Sequence, residues 1–140
     1  MEVSEYLKQY KELNNYFAPD YEQENEVLTK FKNENPILSD KQVSELKAIL
    51  QSESDIYDKY FVADLLYLYP DFSEELLNPL INCAIMHEDP SFNRIFLRPC
   101  ILSFGVDVVE KILNKKVNED DSLSDGINRL RYWLHIPVWD

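Results

Sequence analysis

The 140 residues hold 14 lysines and arginines against 26 aspartates and glutamates, a net charge of −12, with 45% hydrophobic and 13% aromatic side chains. That length fits one domain able to bury roughly two thirds of its unfolded surface, and the apolar share argues against disorder throughout. The acidic field repels phosphate backbones and anionic lipid, which disfavours nucleic acid and membrane surfaces as partners, and it speeds encounter with cationic proteins.

Only Gly105 and Gly126 are glycines, too few for a chain of tight β-turns, so helices are expected. The opening Met1-Glu2-Val3-Ser4-Glu5-Tyr6 lacks a basic and apolar leader, and no apolar run approaches the roughly 20 residues that span a bilayer. The expectation is a soluble, cytoplasmic chain. Cys83 and Cys100 stand apart in apolar surroundings without a CxxC spacing, which reads as two buried structural thiols.

In chain order, Val3, Leu7, Tyr10, Leu13 and Phe17 recur at helical spacing and predict a first helix closed by Pro19-Asp20. Gln23 to Lys32 predicts a second, with a narrow stripe of Val27, Leu28 and Phe31 and acids toward its N-terminal end. These two helices, within 1–35, read as a cap. Asn35-Pro36 breaks the pattern, because the residue before proline avoids the α region. Ser39 or Asp40 then caps a helix bearing Val43, Leu46, Ile49 and Leu50. Asp55 caps the next, Ile56 to Tyr69, apolar nearly all round from Tyr60 onward and therefore expected between neighbours.

Pro70-Asp71 closes that hairpin, and Ser73-Glu74-Glu75 opens a helix running to Met86, with Pro79 a candidate kink. Glu88 to Ser91 is the turn, and Phe92 to Phe104 the partner helix, stopped by Gly105. Val106, Val109, Ile112 and Leu113 make a further short helix. After the polar loop at Asn118 to Ser122, a last helix from about Ser124 to Leu134 carries Ile127, Leu130, Trp133 and Leu134, and 136–140 form an aromatic tail.

Taken as pairs, the first helices begin at Asp40, Ser73 and Val106, 33 residues apart, and Phe61, Leu66 and Tyr69 stand 35 residues before Phe96, Ile101 and Phe104. Such a period predicts stacked helical hairpins, 40–69, 73–104 and 106–135, each needing its neighbour to bury a face. Phe61, Leu65, Leu66, Ile101 and Leu102 are expected in the core. Asp89-Pro90-Ser91-Phe92-Asn93-Arg94, Ile101-Leu102-Ser103-Phe104-Gly105 and Val108-Val109-Glu110-Lys111-Ile112-Leu113 resemble the turn and helices of HEAT repeats, especially the short bacterial kind, over roughly Asp40 to Leu134 in three degenerate copies. Large side chains and Pro99 stand where that family prefers small alanines. The resemblance implies an extended surface for binding other macromolecules and brings no catalytic residues.

Three constellations carry chemistry. Cys83 and His87, followed by Glu88 and Asp89, could share a helical face and a metal, but a closed zinc site wants four ligands and neither histidine has the Glu-x-x-His spacing of di-iron bundles. Paired carboxylates at Glu74/Glu75, Glu88/Asp89 and Glu119/Asp120/Asp121 are explained by capping and first-turn dipoles. The third is a tyrosine face. Tyr57, Tyr60, Asp64 and Tyr67 fall within roughly 80° of one another on one helix, and an acid among phenols suits a lysine or arginine of a partner. The alternative use of those phenols is to satisfy Asp64 internally.

The expectation is thus an all-α, single-domain, short α-solenoid of about three HEAT-like hairpins with an N-terminal helical cap. Its expected function is non-enzymatic: a module gripping a basic protein through Tyr57, Tyr60, Asp64 and Tyr67, with an immunity protein or antitoxin as one specific form inferred from charge and size. No metal or cofactor is expected. Two other classes are an enzyme or small-ligand binder using a concave groove, and a structural subunit pairing with its own copy through Trp133, Trp139 and the tail.

Overall fold

The computed structural model describes residues 2–13, 21–89 and 92–135, and among them it holds eight α-helices, two single 3-10 turns and no strand. The chain divides into two compact units, Met1–Phe72 and Ser73–Asp140.

In Met1–Phe72 the helices are α1 (Val3–Leu13), α2 (Tyr21–Glu34), α3 (Asp40–Gln51) and α4 (Ile56–Leu66). Local chemistry sets the starts of the last two. Ser39 Oγ accepts the Gln42 N–H at 3.1 Å while Gln42 Oε1 accepts the Ser39 N–H at 2.9 Å, so two donors left over at the helix end are satisfied reciprocally. Asp55 accepts the Tyr57 N–H at 2.8 Å and starts α4. Phe61, Val62, Ala63, Leu65 and Leu66 of α4 are all buried, which no single stripe could achieve, because α1, α2 and α3 all pack against this helix.

α1 buries Val3, Tyr6 and Tyr10, so Tyr6 takes the inward place expected for Leu7. Its ring meets Phe31 edge-on at 4.8 Å and its hydroxyl donates to Glu34, partners that an aliphatic side chain could not use. Phe17 and Pro19 lie outside the described residues. α4 ends three residues before Tyr69: Leu68 and Tyr69 donate to Leu65 and Leu66, a tightening of the last turn that directs Tyr69 inward. There Tyr69 Oη donates to the Asn35 carbonyl at 2.5 Å, and Lys32 Nζ lies 4.1 Å from its ring centre.

In Ser73–Asp140 the helices are α5 (Leu77–Met86), α6 (Arg94–Phe104), α7 (Val106–Glu119) and α8 (Ser124–Leu134). Ser73 caps a 3-10 turn, Glu74–Leu76, that leads into α5. Pro79 is the third residue of α5, inside the first turn, where a backbone N–H has no helical acceptor to lose. No hydrogen bond is sacrificed there, unlike at Pro99 in the middle of α6. α6 begins at Arg94 rather than Phe92: Phe92 and Asn93 form a turn on Asp89, leaving Phe92 48% exposed and Asn93 fully buried. Ile101 is buried as expected, but Leu102 is 44% exposed, because one residue along a helix is a rotation of about 100°.

Gly105, at φ 90°, ends α6 and starts α7 on a single residue, its N–H bonded to Ile101. Gly126 lets α8 close on α5: a Cβ there would lie 2.6 Å from the Ile85 carbonyl oxygen. Phe96, Leu97, Leu80, Ile81, Val109 and Leu130 are among the side chains sealed in this core. Cys100 is also buried, its thiol donating to the Phe96 carbonyl at 3.4 Å, while Cys83 is half-buried and both are free thiols. Among the described residues, no helix is long and apolar enough to cross a membrane.

Candidate functional site

α4 presents the four residues singled out in the sequence. Tyr57 and Tyr60 are half-buried and meet edge to face, with centroids 5.9 Å apart and planes at 81°. Asp64, one turn beyond Tyr60, is half-buried, and Tyr67 at the end of the helix is 38% exposed. Asp64 is also engaged from outside its helix: Tyr10 Oη of α1 donates to its Oδ2 at 2.8 Å. Tyr10 packs edge-on against Phe61 as well, with centroids 5.4 Å apart.

Burial, then the Asp64 carboxylate, then Glu24 and Tyr60 hold the Tyr10 phenol far above the usual tyrosine range, so it serves only as a neutral donor. The Glu24 that shares this environment is only 6% exposed. The next residue of α1 docks a second carboxylate: Lys11 Nζ lies 2.9 Å from Asp58 and 4.0 Å from Asp55. The hydrogen bond to Asp58 raises the Lys11 ammonium above its ordinary range. A shallow groove of about 400 Å³ runs beside this pair, lined by Ser4, Leu7, Lys8, Lys11, Glu12 and Asp58.

Chemically the arrangement offers phenol rings, a hydrogen-bonded carboxylate and a lysine paired with two acids. Elsewhere, His87 Nδ1 accepts the Asp89 N–H at 3.0 Å and its ring lies 6.0 Å from that of Phe96. Burial lowers its pKa, against the opposing pull of Asp89 and Glu88. No group of three or more potential metal ligands gathers among the described residues. Asp120 binds the Ser122 N–H and hydroxyl, bonds that lower its pKa and account for its place in the acidic loop as a cap.

Tyr10 is the residue that reading the sequence did not connect to this face. It appeared only as one apolar position of α1, and nothing local links it to an acid on α4. No protein-family model, curated protein or solved structure matches this chain.

Proposed function

We propose that the chain is a protein-binding module, built as a short α-solenoid of HEAT-like hairpins with an N-terminal cap, that grips a basic protein through Tyr57, Tyr60, Asp64 and Tyr67. The observation that carries this reading is the placement of exposed Tyr67 and half-buried Tyr57 and Tyr60 along one helix with Asp64. Rigid phenols contribute contact area at small entropic cost, and a carboxylate already hydrogen-bonded is held ready for a lysine or arginine. Charge supports it: residues 1–72 hold 15 acidic and 7 basic side chains, and residues 73–140 hold 11 and 7. An inhibitor that masks the cationic site of a toxin is the specific form that this size and charge fit.

Affinity capture from the native cell extract, with parent protein and Tyr67→Ala side by side, tests the reading. A basic protein retained by the parent, lost from the variant and associating more slowly as salt rises is the expected result. Equal retention by both proteins, or a rate indifferent to salt, removes the tyrosine face from the account.

A further inference from the structure

Two helices of the second unit reverse the charge trend of the chain. All four arginines lie on them, Arg94 and Arg98 on α6 and Arg129 and Arg131 on α8, with Asp125 their one carboxylate. The rest of the chain holds 25 acidic and 10 basic side chains. Arg131 is turned toward α7, 2.6 Å from the Asn114 side-chain oxygen. Arg94 and Arg129 are exposed and form no ion pair with a described residue. Arg94 and Arg98 stand four apart on one helix, a like-charge spacing that is unfavourable, and α6 has no acid to offset it.

The aromatic side chains here are held in place. Trp133 Nε1 donates to Asn93 Oδ1 at 3.0 Å, and Asn93 is fully buried with its own N–H bonded to the Asp89 carbonyl. The Arg94 guanidinium lies over the fixed indole, 5.1 Å from its centre. Tyr132, 66% exposed, sets its ring edge-on to Trp133 at 5.3 Å. Arg129 precedes Trp133 by one turn, on the same side of α8.

We propose that this arginine and aromatic surface of α6 and α8 docks an acidic segment of a protein partner, carrying Asp or Glu beside an apolar side chain. A guanidinium stacked on a fixed ring, as Arg94 is, loses little freedom when it forks a carboxylate, and exposed Arg129 supplies a second guanidinium. Tyr132, edge-on to Trp133, supplies exposed apolar area for the neighbouring side chain. At physiological salt, exposed charges beyond about 8 Å are largely screened, so the charges carried by these two helices, four arginines and Asp125, weigh most at their surface. A nucleic-acid strand needs a basic stripe following many phosphates, and these two short helices offer none. The partner chemistry is opposite to that of the α4 face, and neither site depends on the other.

Selection from a displayed library of random peptides on the full chain, after subtraction on the Arg94→Gln/Arg129→Gln double variant, tests the assignment. The expected survivors carry Asp or Glu next to apolar residues. A synthetic copy of the most enriched peptide binds the parent about tenfold or more tighter than it binds the double variant or Tyr132→Ala, with melting temperatures of all three proteins alike. Survivors without acids, equal affinity for the double variant, or no enrichment over it overturns the proposal. Tighter binding of single-stranded oligothymidine than of the peptide overturns it in favour of a nucleic-acid surface.

Discussion

Tyr10 donates its phenolic hydrogen to Asp64 across 54 residues of sequence, and this bond fastens α1 to the helix that bears the tyrosine face. Tyr10→Phe leaves the carboxylate without that donor and is expected to cost about 1.5 to 3 kcal/mol, the range for a hydrogen bond to a charged group. Asp64→Asn keeps an oxygen that can still accept, so its cost stays under about 1 kcal/mol. Urea midpoints of the two variants check this ordering, and equal losses contradict it. If α4 grips a cationic partner, Asp64→Asn also weakens binding more than it weakens the fold.

Alkali exposes the burial of Tyr69. Desolvation raises its phenol from 10.0 to about 12, so the folded chain keeps a proton that the unfolded chain releases first. Stability from this group is therefore complete below pH 10 and is lost as pH rises toward 12. Urea midpoints measured across that interval should fall, and Tyr69→Phe should fall less steeply. A parent midpoint that is flat over the interval refutes the assignment.

Neighbouring leucines separate core from surface. Leu66 is fully buried, so Leu66→Ala should cost about 2 to 5 kcal/mol. Leu102→Ala, at an exposed position, should stay within about 1 kcal/mol of the parent. Denaturant unfolding of the pair measures both.

The two glycines resist substitution for different reasons. Gly105 has open space around its Cα but a positive φ, so Gly105→Ala and Gly105→Leu should cost alike, about 1 to 3 kcal/mol of backbone strain. At Gly126 the obstacle is the Ile85 carbonyl, which cannot rotate aside. Gly126→Ala should lose more by this clash, about 1 to 3 kcal/mol, than the roughly 1 kcal/mol that alanine gains in a helix, and Gly126→Leu should lose far more. Melting curves for the four variants distinguish the patterns.

Helices and their caps were legible wherever the controlling chemistry is local. Ser39 with Gln42, Asp55 before Tyr57 and Gly105 after Phe104 all act within four residues of themselves. Facing was less legible. Tyr6 and Leu7 are equally plausible inward residues until Phe31 and Glu34 arrive from another helix. The link from Tyr10 to Asp64 and the link from Trp133 to Asn93 depend on contacts 54 and 40 residues apart, which periodicity within one helix cannot encode. The arginine bias was visible in composition, but only when counted helix by helix rather than over the whole chain.

Between α6 and α7 stands Gly105 alone, with no further residue to take up slack. The heading of a 14-residue helix is thus steered by very few torsions. At about 1.5 Å per residue that helix is a lever about 21 Å long, and a turn of about 10° at its root swings its tip by nearly 4 Å. Inserting one residue at this joint would re-aim the whole of α7, whereas the same insertion in the Ser52 to Asp55 loop has neighbouring torsions over which to dissipate.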